Sequence, residues 1–219
     1  MSRSLKYEIP GKDWRCGPLE LAESGFDGLF GTERGFPEAR VLEIGFGRGE
    51  FLLDLSAKHP EAVFLGVEVS FKRVLKMARK AARAGLQNIR LMEARGEVVV
   101  GELIESGCLD EIWVNFSDPW PKDRHARRRV IQSEFVRHAA RCLAPGGVLH
   151  VATDDVPYAA QIERVLAGEA SLENVYAPEA FLSSVPGRAQ TGYEMEWRAE
   201  GRQIHFFGYR RRGESNRGI

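Results

Sequence analysis

From residue 40 onward the chain alternates short apolar runs with stretches of helical period, and this alternation narrows the fold more than any other feature. Apolar runs at 41–45, 63–69, 89–92, 111–116 and 148–152 read as strands. Between them, 50–59, 70–84, 97–105, 129–143 and 156–167 read as helices. Strands separated by helices build an α/β domain whose sheet is mostly parallel, with helices on both faces. The helix at 70–84 is basic and amphipathic, with Ser70 as its expected cap, Val74, Ala78, Ala81 and Ala82 on its inner stripe, and Gly85 as its stop. Residues 129–143 are expected to close at Pro145-Gly146-Gly147.

The ends of the chain carry weaker signals. Residues 1–38 are rich in Gly, Pro and charge and read as an irregular arm, with Phe26, Leu29 and Phe30 packing on the domain. The domain proper is read as 39–210, with two further strands near 172–177 and 203–209, and 211–219 as a disordered tail. No apolar run approaches the roughly 20 residues of a membrane span, and the N-terminus lacks the apolar core of a signal peptide. Cys16, Cys108 and Cys142 are scattered without metal spacing and read as free thiols of a cytoplasmic protein.

Two motifs fall at strand ends. The first is Glu43-Ile44-Gly45-Phe46-Gly47-Arg48-Gly49-Glu50, at the first strand-to-helix turn. Glycines there let the backbone approach a ligand at a helix N-terminus. Glu68 ends the second strand, where a carboxylate can hold ribose hydroxyls. The spacing is G-x-G-x-G rather than the G-x-G-x-x-G of dinucleotide folds. With Glu43 and Glu68 it favours S-adenosylmethionine over NAD, although glycines alone would equally suit a structural turn.

The second motif is N-F-S-D-P-W-P-K-D-R-H-A-R-R-R, residues 115–129. Pro119 and Pro121 fix φ and remove two donors, so Asp118 and Trp120 are presented on a loop beside the ligand crevice. Five of the eight residues 122–129 are Lys or Arg. One or two cations satisfy a small molecule, whereas a phosphate backbone engages many. Arg124, Arg127, Arg128 and Arg129 are therefore expected on the phosphates of a nucleic acid. The chain's 31 basic and 31 acidic residues cancel, yet they are segregated. Residues 71–95 hold eight basic residues against Glu93, whereas 154–200 hold nine acidic residues against three basic. Local charge, not the total, makes an electrostatic footprint.

This second motif resembles the hallmark N-F-P-D-P-W-P-K-x-R-H-x-K-R-R of the bacterial tRNA (guanine-N7-)-methyltransferases, with Ser117 in place of a proline. The resemblance runs from about residue 26 to 209 through L-E-I-G-F-G-R-G-E, G-V-E-V, A-T-D and T-G-Y-E. It implies a Rossmann-like class I methyltransferase fold and methylation of a variable-loop guanosine in tRNA, with no metal and no membrane partner. It also implies that Glu43, Gly45, Gly47, Glu68 and Asp118 face the cofactor and that Asp118 is catalytic. Lys122 and Asp154 would contact the target nucleotide, and Thr191, Gly192, Tyr193 and Glu194 would help form the guanosine pocket. Tyr193 offers a stacking face there, and Glu194 an acceptor for a guanine edge. Asp154-Asp155 has a second reading as a helix cap.

Three positions depart from the family pattern. Arg95 stands near the adenine side of the cofactor where the family has Asp, Asp155 replaces an aromatic, and Gly192 replaces a Lys. Two other readings therefore stay open: a methyltransferase acting on another substrate, and a tRNA-binding relative without catalysis.

Overall fold

The computed structural model describes residues 7–31 and 37–213. A short strand, β1 (Arg15–Cys16), is followed by helix α1 (Pro18–Gly28), which kinks at Gly25. The alternation then runs β2 (Arg40–Ile44), α2 (Glu50–Lys58), β3 (Val63–Glu68), α3 (Phe71–Arg83) and β4 (Ile89–Glu93). A helical turn, α4 (Gly96–Val98), widens into a π turn over Val99–Leu103 before β5 (Leu109–Asn115). A 3-10 segment, Asp123–Arg128, leads to α5 (Ser133–Cys142), β6 (Leu143–Thr153) and α6 (Val156–Ala167). The last elements are β7 (Leu172–Asn174), α7 (Gly192–Ala199) and β8 (His205–Arg211).

All eight strands join one sheet in the order β1-β4-β3-β2-β5-β6-β8-β7. Pairing is parallel from β1 through β6 and antiparallel where β8 meets β6 and β7. From β2 the chain steps outward through β3 and β4; from β5 it steps outward the other way through β6. The reversal lies between β2 and β5, and a crevice opens beyond the carboxyl ends of strands at such a point.

Successive side chains on a strand point to opposite faces. On β3, Val63, Leu65 and Val67 enter one core with α1, α5 and α6, while Phe64 enters the other with α2 and α3. The expected helices on both faces are present.

Within the segment read as an irregular arm, residues 18–28 form a helix, and Phe26, Leu29 and Phe30 pack on the domain as expected. Leu21, Phe26, Leu29 and Phe30 are buried in the larger core, and burying each such side chain contributes about 1.5–3 kcal/mol. An 11-residue helix is marginal alone, so packing rather than local propensity makes α1. Arg90 fastens it. Its Nε donates to the Leu29 carbonyl at 2.6 Å, and its guanidinium lies over Trp14 at 4.3 Å and Phe30 at 4.8 Å.

Other boundaries also move. The helix expected at 129–143 begins at Ser133, because the backbone around Arg129 to Gln132 bonds elsewhere: Ile131 N–H donates to Tyr158 Oη at 3.1 Å. Strand β6 starts at Leu143, and its register with β5 shifts between Leu109 and Glu111, letting Pro145-Gly146-Gly147 bulge out. A Cβ on Gly147 would lie 2.9–3.0 Å from three backbone carbonyls, so only glycine fits that bulge. The strand expected at 172–177 is shortened to Leu172–Asn174 and the one at 203–209 shifts to His205–Arg211. Ser70 is the N-cap of α3 by position but makes no side-chain cap bond; its N–H donates to Glu68 instead. Of the expected tail, 214–219 lies outside the described residues.

Candidate active site

A crevice of about 760 Å³ lies beyond the carboxyl ends of β2, β3, β5 and β6. That volume suits a ligand of nucleoside size and larger. Its first wall is the glycine turn between β2 and α2. Gly45, Gly47 and Gly49 have φ of 75°, 56° and 76°, a region that side chains with a Cβ occupy only at a cost. The turn is tied at both ends: Gly45 N–H donates to Val67 O at 2.7 Å, and Lys80 Nζ of α3 donates to the Arg48 carbonyl at 2.7 Å.

Two buried carboxylates stand behind this turn, and their partners differ. Glu68 is 3% exposed and accepts from Gly47 N–H at 3.0 Å, Ser70 N–H at 3.1 Å and Arg73 at 3.4 Å. A carboxylate has about four acceptor sites, so one remains for a ribose hydroxyl. Glu43 is 2% exposed; its Oε1 accepts from Asn115 Nδ2 at 3.2 Å, while Oε2 has no partner among the described residues. Burial pushes the Glu43 carboxyl up to about 7, against the opposing pull of Asn115 and Arg188. A buried acid with a spare oxygen beside a crevice can pair with a cation or a hydrogen-bond donor.

The second wall is the loop after β5. Phe116 and Trp120 take φ of 52° and 44°, each strained by about 1–3 kcal/mol. Between them Asp118 is exposed, and its Oδ1 accepts from Trp120 N–H at 3.0 Å across Pro119. The carboxylate is thus oriented by its own turn. Trp120 is half-buried, with the Arg128 guanidinium 4.9 Å from its ring centroid. Both Trp120 and Arg128 line the crevice.

The basic run divides in three dimensions. Lys122, Arg124, Arg127 and Arg128 are exposed. Arg129, expected on a phosphate, is 7% exposed; its Nε donates to Pro119 O and its Nη1 to Gln161 Oε1, both at 2.7 Å. Its donors hold the loop in place, and the expectation is corrected accordingly. Lys122 lies outside the crevice lining.

Asp154 does line the crevice, paired at 2.7 Å with Arg202, whose guanidinium also sits 3.9 Å from the Trp197 ring. Its neighbour Asp155 is the helix cap, accepting from Tyr158 N–H at 2.8 Å. Asp155 thus takes the cap reading, and Asp154 faces the crevice.

Thr191, Gly192, Tyr193 and Glu194 form the start of α7, a helix the sequence did not announce. Thr191 Oγ1 accepts from Glu194 N–H at 2.9 Å, a side-chain N-cap. Thr191 and Tyr193 line the crevice. The Glu194 carboxylate, expected at a guanine edge, is 3% exposed and held by Arg188 at 2.5 Å and Arg198 at 3.0 Å. Those pairs take two of its acceptor sites, and Glu194 lies outside the crevice lining. A Cβ on Gly192 would lie 2.5 Å from Glu50 Oε2, the far end of a flexible side chain that can move aside. Arg95, its side chain 75% exposed and 3.9 Å from Glu97, lines the crevice beside that acid.

Sequence reasoning missed Asn115, Arg188 and Arg202. Asn115 had a signal, a polar residue closing an apolar strand just before the loop. Arg188 and Arg202 had none, since the partners that tie them to the crevice, Asn115 and Asp154, lie 73 and 48 residues away. Among the described residues no group of three or more His, Cys, Asp or Glu side chains could hold a metal ion.

Residues 37–207 match a family described as "Putative methyltransferase". The chain is 41% identical over 205 residues to the tRNA (guanine-N(7)-)-methyltransferase of Halorhodospira halophila, covering 92% of this chain and 87% of that protein. It is 41% identical over 203 residues to the enzyme of the same description from Alkalilimnicola ehrlichii, covering 91% and 84%. The solved structure of the 16S rRNA methyltransferase KamB matches with a TM-score of 0.61 at 18% identity, covering 82% of this chain and 91% of that one. That likeness carries the fold alone, the Rossmann-like class I methyltransferase arrangement.

Proposed function

The chain belongs to the tRNA (guanine-N7-)-methyltransferase family, and from that premise we propose that it methylates N7 of a variable-loop guanosine in tRNA, using S-adenosylmethionine. The observation that carries this reading is the pairing, across one crevice, of a buried carboxylate with an unpartnered oxygen and an exposed, oriented Asp118 beside exposed arginines.

The residues fit the cofactor. Glu43 offers its spare oxygen to a cationic group, Glu68 its remaining acceptor site to a ribose, and Gly45 has open space above it. Arg95 and Glu97 border the adenine side. When bound, S-adenosylmethionine supplies an electrophilic methyl group carried on a sulfonium.

Guanine N7 carries its own lone pair, so no general base is required. The protein's task is positioning. As methylation proceeds, positive charge grows on the guanine ring, and the Asp118 carboxylate stabilises it while fixing the base. In A-form RNA N7 lies in a deep, narrow groove closed to side chains, so the target must be splayed out to reach the crevice. Trp120 and Tyr193 present faces on which it can stack, and Asp154 borders the same space. Arg124, Arg127 and Arg128, with Lys122, hold the phosphates on either side without reading sequence. The exposed basic face of α3 extends that footprint.

The working unit is residues 39–210, with α1 sealing its core. No helix among the described residues is long and apolar enough to cross a membrane. A tRNA substrate and three free thiols, all raised by burial to about 11 or 12, suit the cytoplasm. The deciding experiment is methylation of an unmodified tRNA transcript followed by nucleoside mapping. Product without 7-methylguanosine would reject the reading.

A further inference from the structure

Arg188 lies outside the crevice lining, yet its guanidinium joins the end of β5 to α7, whose Tyr193 and Trp197 line the crevice. Its side chain is 5% exposed. Nη2 donates to Asn115 Oδ1 at 2.6 Å; Nη1 donates to Glu194 at 2.5 Å and to the Ala189 carbonyl at 3.1 Å. Asn115 in turn donates to Glu43 Oε1 at 3.2 Å. An unbroken line of hydrogen bonds therefore runs from Glu43 at the end of β2, through Asn115 and Arg188, to Glu194 in the first turn of α7. The rings of Phe206, Phe51 and Trp113 stand 4.7, 5.2 and 5.6 Å from the guanidinium and confine it to this place.

The two ends of that line face different ligands. At one end is the carboxylate with a spare oxygen; at the other is the helix whose Tyr193 and Trp197 line the crevice. The other side-chain ties of α7 to the crevice walls are more exposed. Arg48–Glu196 is 46% exposed on both sides, and such pairs hold little. The buried line is thus the main mechanical link between the walls.

We propose that Arg188 is a positioning residue that couples the two ligands: occupation of the Glu43 end fixes the α7 wall that receives the nucleotide, so cofactor and tRNA bind cooperatively. This rests on the methyltransferase reading above. A cation arriving at Glu43 favours its ionised form, and that charge attracts Arg188 and with it Glu194. Burial holds Glu43 towards the neutral form until then. Coupling of this kind is reciprocal: tRNA seated on α7 must tighten cofactor binding by the same factor.

The test is calorimetric titration of S-adenosylhomocysteine into the full chain, with and without a tRNA transcript. In the unaltered protein tRNA should tighten S-adenosylhomocysteine about 5- to 10-fold. In Arg188→Gln each ligand alone should bind within about 2-fold of the parent while the coupling factor falls to about one. Arg188→Lys, which keeps the charge, should restore part of it, and Asn115→Ser should lose it by cutting the line elsewhere. The double variant should lose no more than either single one. Coupling retained in Arg188→Gln, or absent from the parent, overturns the inference. So does a uniform loss of both affinities, which marks a merely structural arginine. If Arg188→Gln does not fold, Arg188→Lys and Asn115→Ser carry the same readout. A parent that binds no S-adenosylhomocysteine would instead remove the methyltransferase reading itself.

Discussion

The turns that leave β2 and β5 start from neighbouring strand ends and face one crevice, yet they are built on opposite terms. The turn after β2 uses three glycines at positive φ and closes upon itself, with both carboxylates sunk behind it. The loop after β5 puts Phe116 and Trp120 in the same unfavourable region and leaves its carboxylate exposed. The first relaxes its backbone and confines its charges. The second strains its backbone and presents them. A ligand of fixed shape suits the former; a nucleotide delivered on a large polyanion suits the latter, where exposed cations must meet phosphates before the base arrives.

The largest effect expected is at the presented carboxylate. Asp118→Asn keeps an oxygen for Trp120 N–H and removes only the charge, so kcat should fall by about 100-fold or more with an unchanged melting temperature. A variant within a few-fold of the parent would end the contrast on the β5 side. Next is Arg129, which resembles its neighbours only in sequence. Arg129→Ala should lower unfolding free energy by about 3 kcal/mol in urea, because two buried charge-assisted bonds go with it.

Glu43 tests the other turn. Its folded-state value near 7 lies above the ordinary 4.5, so the folded protein binds the proton more tightly than the unfolded chain. The stability this supplies is present below pH 4.5 and lost as pH rises through 7. Glu43→Gln should thus gain up to about 3 kcal/mol over the parent at pH 8 and little near pH 5. A gain independent of pH would mean that the carboxylate is not confined. The smallest effect belongs to the exposed pair. Arg127→Ala with Arg128→Ala should leave melting unchanged, weaken tRNA binding about 10-fold and lower its salt slope by roughly 1.5 to 2. Adding Arg129→Ala should change stability but not the slope.

Much of the frame was legible because its signals are local. The runs that became β2 to β6 show their period within a few residues, and glycine or proline marks their ends. Glu43, Glu68 and Asp118 could be placed because a residue closing a parallel strand must open on the crevice. What stayed hidden depends on partners far along the chain. Arg129 could not be told from Arg128 without Gln161 of α6, 32 residues on, and Asn115 gave no hint of Arg188, 73 residues on. Helix α1, kinked at Gly25 and short, declares itself only through the core it fills.

The position of β8 bears on how the chain is made. Among the described strands the last in sequence is not added at the sheet's margin; it is laid between β6 and β7. Until residues 205–211 emerge, β6 is an open edge with unpaired backbone groups from Val148 to Thr153, the kind of surface on which strands of separate chains pair. β7 has no place in the sheet until then, since its ladder is with β8. A transcript broken shortly before these codons would yield nearly the whole crevice on a body prone to aggregate. Burial of that edge thus waits on residues 205–211.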